Sequence, residues 1–204
     1  MGQPAKSRPV VFYIRHGETD WNVTGRLQGR RDVPLNARGR TQAMHCGKIL
    51  QELFAREGRN MAEMDFVSSP LGRARTTMEL ARARLGLPAG GYRIEPRLKE
   101  IAFGEWEGFT IAQLHSRDPQ LIAAREQDKW HFVPPGGESY QAVSLRMRDW
   151  YEGLARDTVA VAHGGTARGL IAYLGIAKPA AAPLLDIAQN VVYVFEGDRL
   201  TRYA

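Results

Sequence analysis

A chain of 204 residues with 44% hydrophobic and 25% charged residues, and with glycine and proline scattered along it, has the composition of one ordinary globular domain rather than of a disordered or fibrous protein. Its longest apolar runs, 10–14 and 191–195 among them, are five residues and fall far short of the roughly 20 that a membrane helix needs, and the polar start carries no apolar leader, so a cytoplasmic protein with no membrane partner is expected. The net charge of +6 selects no partner by itself, but all but five of the 28 basic residues are arginines, and they are dispersed, without the basic recognition face of a nucleic-acid reader.

In chain order, 9–15 reads as a strand and is followed by a glycine-rich loop. The spacing of Ala43, Cys46, Ile49, Leu50, Leu53 and Phe54 then predicts a helix over 37–57, capped by Asn36. Cys46, the only cysteine, falls on the apolar face of that helix as a small buried hydrophobe. A second strand is expected over 65–69 and a helix from Pro70, tolerated in a first turn, to about Gly86. After a weaker strand at 92–95, the stretch 104–137 changes to short helical pieces punctuated by Asp118-Pro119 and Pro134-Pro135-Gly136-Gly137, which reads as a cap inserted over the core. A helix over 138–156, a strand over 158–162 and a helix over 166–174 stopped by Gly175 follow. Strands at 191–195 and 200–203 flank a turn at Gly197-Asp198. Alternating strands and helices imply an α/β fold: a three-layer sandwich with a mostly parallel central sheet flanked by helices, one domain over 1–204 with a small helical cap insertion at about 104–137.

Ligands of such sheets bind beyond the carboxyl ends of the strands. Three unusual segments fall there: Arg15-His16-Gly17, Ser68-Ser69 and His163-Gly164-Gly165. A histidine flanked by arginine and glycine at a strand end suits a nucleophile, and a second histidine in the equivalent place can converge on it. Either one alone would more simply be a helix-capping or hydrogen-bonded core histidine; the pair, with arginine and glycine beside it, favours chemistry.

These residues carry a resemblance. Arg15-His16-Gly17-Glu18-Thr19-Asp20-Trp21-Asn22 closely resembles the signature of the histidine phosphatase superfamily, also called phosphoglycerate mutase-like. Gly25-Arg26-Leu27-Gln28-Gly29, Asp32-Val33-Pro34-Leu35, Gly39 and Gln42-Ala43 resemble its following loop and helix start. Ser68 through Ala74 resembles its second-arginine motif, Leu98-Lys99-Glu100 through Gly108 its acidic motif, and Val161 through Gly165 its second-histidine motif. The resemblance implies that His16 is the phosphorylated histidine, that Glu100 is the proton donor and acceptor, and that Arg15, Arg73 and His163 hold the phosphoryl group.

Physical chemistry agrees with that carry-over. A phosphomonoester brings about two negative charges, which two arginines and a protonated His163 would hold while Asn22, Gln28 and the Gly164 amide supply neutral donors. The same cations should depress the proton affinity of His16 and leave it a neutral nucleophile. A bound dianion should push that of Glu100 upward. Glu105 and Glu107 rival Glu100 for the role of acid. Arg75 should point elsewhere, Glu18 should orient the loop, and Arg26, Arg30 and Arg31 either are solvated or meet a second anionic group. His45, His115 and His131 belong to helix or cap surface. No metal or nucleotide motif is present, so no cofactor and no metal are expected.

The expected reaction is hydrolysis of a small phosphorylated metabolite to inorganic phosphate. The alternatives are a phosphoglycerate mutase, disfavoured because the cap lacks an adjacent arginine pair, and an alpha-ribazole phosphatase. Trp130, Phe132 and Tyr140 either roof the site or form the core of the cap. Oligomeric state, a homodimer included, is open.

Overall fold

A computed structural model describes residues 8–204; the expectation of a leaderless start rests mainly on residues 1–7 and lies outside the described residues. Four strands run parallel, β1 (Val11–Arg15), β2 (Asp65–Ser68), β3 (Arg93–Ile94) and β4 (Thr158–Ala162), while β5 (Val192–Glu196) and β6 (Arg199–Tyr203) are antiparallel. The sheet order is β3-β2-β4-β1-β5-β6, and a one-turn helix, α1 (Asp20–Val23), follows β1. The sheet is therefore mixed: a parallel core with a hairpin added along one side, closed by the turn in which Gly197 takes a φ of 61°.

Alternation along β1 divides the core in two. Val11 and Tyr13 face one side and pack with α6 (Tyr140–Glu152) and α7 (Gly164–Tyr173). Phe12 and Ile14 face the other and pack with α2 (Ala37–Glu57) and α3 (Gly72–Arg84). The predicted inward stripe of α2 is buried throughout, and Asn36 caps it by accepting from the Gly39 amide at 2.8 Å. Cys46 is 1% exposed, and burial pushes its thiol up to about 12, as expected of an inert core side chain.

Several boundaries differ from expectation. α3 begins at Gly72 rather than Pro70, because its cap comes from far away: Asp32 accepts from the Gly72 amide at 2.6 Å. α6 is shorter at both ends than 138–156, started by Ser139, which accepts from the Ala142 amide at 3.1 Å, and stopped at Gly153. α7 begins at Gly164, so both glycines of that motif lie in its first turn. β3 shrinks to two residues.

Over 104–137 two short helices, α4 (Ile111–Arg117) and α5 (Pro119–Gln127), enclose a small cluster of their own, Trp106, Leu114 and Ile122. Trp106 stacks on Phe132 at 5.3 Å between ring centres, and its Nε1 donates to Asp118 at 3.1 Å. Strand-like bonds from Leu27 to Phe109 (3.0 Å) and from Gly108 to Leu27 (2.8 Å) tie this layer to the loop that carries Gln28. No helix among the described residues is long and apolar enough to cross a membrane.

Candidate active site

Register decides the geometry of the site. β1 and β4 are parallel neighbours with Arg15 opposite Ala162, so the next residue on each is a histidine at the same level. The His16 amide donates to Ala162 O at 2.9 Å, and the two imidazoles lie 5.1 Å apart. Ser69, following β2 on the other flank of β4, is held by its amide to Val161 O at 2.9 Å.

The loop after β1 is pressed onto the start of α2. A Cβ on Gly17 would overlap Gly39 O and lie 2.7 Å from Gly39 C, so only glycine allows the two backbones to cross there. Glu18 orients the same loop, with its amide donating to Gln42 Oε1 at 2.8 Å and its carboxylate accepting from Asn36 at 3.0 Å.

His16 is 2% exposed. Its Nδ1 lies 2.7 Å from Gly17 O, and since a carbonyl only accepts, Nδ1 carries the proton and Nε2 the lone pair. Arg73 Nε donates to that lone pair at 3.3 Å. Burial first, then the Arg73 and Arg15 charges, hold the imidazole well below the usual histidine value. The ring is therefore neutral at pH 7, with its lone pair directed at a guanidinium. The like-charge effect expected from the sequence is present but secondary to desolvation.

Arg73, fully buried, is more constrained than expected. Its terminal nitrogens donate to Arg31 O (2.6 Å) and Gly29 O (2.7 Å), and Asp32 lies 3.8 Å away. Arg15 donates through one terminal nitrogen to Ile187 O at 2.6 Å, and its buried Nε has no partner. Asn22 Oδ1 accepts from the Thr19 amide (3.1 Å) and from Gln189 (3.0 Å), bonds that leave the Nδ2 donors uncommitted. Gln28 is buried with its Oε1 unpaired.

A cavity of about 140 Å³ joins these groups, with His16, Arg15, Arg73, Asn22, Gln28, Glu100 and Gly164 in its wall. Glu100 accepts from the Ile101 amide at 2.8 Å and from the Gly165 amide at 3.0 Å, so two backbone donors aim it from the start of α7. Its rivals are elsewhere. Glu105 is exposed, and Glu107 is spent on loop amides, accepting from Arg30 (2.9 Å) and Phe103 (3.2 Å).

His163 is fully buried, its ring 5.1 Å from that of His16 and outside the cavity wall, with Nε2 bonded to Ser69 Oγ at 2.7 Å and Nδ1 unpartnered. Burial, reinforced by Arg73, drives its proton affinity well below the usual value, so the imidazole is neutral unless an anion beside it offsets the desolvation. Tyr13 clamps its backbone, donating to His163 O at 2.6 Å and accepting from His163 N at 3.0 Å.

Of the aromatic residues singled out, Tyr140 reaches the cavity, whereas Trp130 packs into the main core and Phe132 against Trp106. Arg30 pairs with Glu138 at 3.3 Å, Arg26 donates to Gly108 O at 2.6 Å, and Arg75 points away to Tyr92. His115 and His131 pair with Glu126 (3.3 Å) and Asp128 (2.8 Å) at the surface.

Sequence reasoning missed the 185–189 segment, whose carbonyls at Leu185 and Ile187 hold Arg168 and Arg15 and whose Gln189 also donates to His16 O at 3.2 Å. No local pattern marks it; only the tertiary fold brings it to the site. Phe103 and Arg168 also lie in the cavity wall, and no local pattern marks them either.

This chain is similar to several known phosphatases. Glucosyl-3-phosphoglycerate phosphatase of Mycobacterium tuberculosis is 36% identical over 183 residues, 83% of this chain and 76% of the relative. Adenosylcobalamin/alpha-ribazole phosphatase of Escherichia coli is 33% identical over 178 residues, 84% of this chain and 81% of the relative. A solved structure of mycobacterial glucosyl-3-phosphoglycerate phosphatase in complex with VO3 superposes with a TM-score of 0.76 at 32% identity, covering 97% of this chain and 96% of that one. The family model of the histidine phosphatase superfamily (branch 1) matches residues 11–201, and with the paired strand-end histidines and their arginines in place, this chain belongs to that superfamily.

Proposed function

We propose that this protein is a phosphomonoester hydrolase that acts on small phosphorylated metabolites through a phosphohistidine at His16, releasing inorganic phosphate. The observation that carries the reading is the fixed tautomer of His16: a neutral imidazole with its Nε2 lone pair at a cavity that also holds two guanidinium groups and one carboxyl group.

In the first step Nε2 attacks phosphorus as the ester P–O bond breaks, and Glu100, protonated when the dianion is bound, gives its proton to the leaving alkoxide. In the second, Glu100 takes a proton from water, whose oxygen displaces His16 and restores the free imidazole. Charge on the transferring group is met by Arg15 Nε, which has no partner in the protein, by Arg73, by Asn22 and Gln28, and by the Gly164 amide at the start of α7. Incoming negative charge raises the proton affinity of His163, whose ring lies 5.1 Å from that of His16 and, once protonated, adds to the positive field that holds the transferring group. These side chains supply the positive charge themselves, so the reading includes no cofactor. The chain is further read as one domain with a cap over 104–137, working in the cytoplasm.

Rapid acid-free quenching of the wild type with a phosphomonoester should trap an acid-labile, base-stable phosphoryl adduct that His16→Ala lacks, together with its turnover. Normal turnover by His16→Ala would end this mechanism.

A further inference from the structure

Gln189 stands outside the cavity wall, yet its side chain ties together two residues that the reaction needs. β5 runs antiparallel to β1 with Ile14 opposite Val192, so the chain entering β5 passes beside His16 as the chain leaves β1. Just before Gln189, Ile187 is fully buried in the core and Ala188 O accepts from the Tyr193 hydroxyl at 3.3 Å. Just after it, Asn190 turns the chain with a φ of 65°; among the described residues it alone takes a positive φ without being glycine. Asparagine tolerates this left-handed conformation better than other side chains do, and strained positions of this kind persist where surrounding contacts hold them.

Backbone groups fix which atom of each carboxamide is which. The Thr19 amide only donates, so the Asn22 atom 3.1 Å from it is Oδ1. The His16 carbonyl only accepts, so the Gln189 atom 3.2 Å from it is Nε2. That same nitrogen donates to Asn22 Oδ1 at 3.0 Å, and the Thr19 hydroxyl donates to Oδ1 at 3.2 Å. With Oδ1 turned toward these donors, Nδ2 is the polar atom that Asn22, a residue of the cavity wall, has left for a ligand. The helix that carries Asn22, α1, has four residues and no buried one, so its place depends on polar ties.

Resting on the phosphomonoesterase reading above, we infer that Gln189 is a positioning residue for phosphoryl transfer: one nitrogen, bonded at once to the backbone of the nucleophile and to the oxygen of Asn22, holds Asn22 with Nδ2 facing the transferring group. Gln189 touches no substrate and acts through Asn22. Were the Asn22 carboxamide to turn over, an oxygen would face the phosphoryl oxygens, and repulsion would replace a charge-assisted hydrogen bond.

A double-mutant cycle on Gln189 and Asn22 tests this. It is read by calorimetric binding of vanadate and by kcat/KM on an alkyl and an aryl phosphate, each corrected for the folded fraction by circular dichroism. Asn22→Ala should weaken both quantities by roughly 10–10²-fold, the loss of one hydrogen bond to a charged group. Gln189→Met, similar in length but without a donor, should lose about 5-fold, alike on the two esters because no proton transfer is touched. In the Asn22→Ala background Gln189→Met should change neither quantity by more than about 2-fold. Losses that multiply, or a Gln189→Met protein equal to the wild type, overturn the role, since a merely structural strap would act whether or not Asn22 is present. An NMR titration of isotope-labelled wild type reads the same atoms with no substitution at residue 189: vanadate should shift the Asn22 Nδ2 protons while the Gln189 Nε2 protons stay hydrogen-bonded. Nδ2 protons indifferent to vanadate would overturn the role as well. Interdependent losses of vanadate binding in a protein that hydrolyses neither ester would sink the enzymatic reading alone; hydrolysis with losses that multiply would sink only the positioning role.

Discussion

Gly165→Ala should separate the proton-transfer role of Glu100 from its neighbours while leaving the nucleophile intact. A Cβ at residue 165 would overlap Glu100 Oε1 and lie 3.2 Å from its carboxyl carbon and 2.7 Å from Ile101 Cγ2. All of these atoms are side-chain atoms, so the fold can yield, at a cost of about 1–3 kcal/mol for local overpacking. The carboxyl group must swing away, and displacing a catalytic group by about 1 Å costs on the order of 10²-fold. An alkyl phosphate, whose leaving group needs the proton, should lose about that factor in kcat/KM. An activated aryl phosphate needs less help in leaving and should lose far less. Glu100→Gln should show the same dependence, at roughly 10²–10⁴-fold for the alkyl ester, and should accumulate phosphoenzyme from the aryl ester; Glu105→Gln and Glu107→Gln should not. Steady-state kinetics on both esters, with a thermal melt of each variant, decides the matter. Equal losses on the two esters in both Gly165→Ala and Glu100→Gln would refute the assignment of Glu100 as the acid.

Stability should fall on mild acidification, because His16 and His163 are both held below their ordinary value. The unfolded chain then takes up protons first, so each histidine should remove up to about 1.4 kcal/mol per pH unit below about pH 6.5. Urea unfolding between pH 6.5 and 5 measures this slope, and His16→Gln should flatten it; an unchanged slope would mean that the imidazole is not desolvated. With positive charge supplied by Arg15, Arg73 and their neighbours, chelation by EDTA should leave the rate intact while vanadate inhibits as a five-coordinate phosphorus mimic. Activity lost in EDTA and restored by a divalent ion would contradict that picture.

Residue order alone determined the elements whose causes are local. The apolar stripe of α2 and its Asn36 cap, the strands that lead into His16 and His163, and the buried Cys46 all follow from periodicity, capping chemistry and hydrophobicity acting over a few residues. The residues that the motifs single out, His16, Arg15, Arg73, Glu100, Asn22, Gln28 and Gly164, all line one cavity. Tertiary structure decided whatever depended on partners distant in the chain. The start of α3 depends on Asp32, forty residues before the Gly72 amide it caps. Glu100 is distinguished from Glu107 by which backbone amides each meets, a property of α7 and of the 28–30 loop rather than of either carboxyl group. His163 is neutral because complete burial outweighs any benefit of charge before a phosphate arrives, and burial is a sum over the whole core.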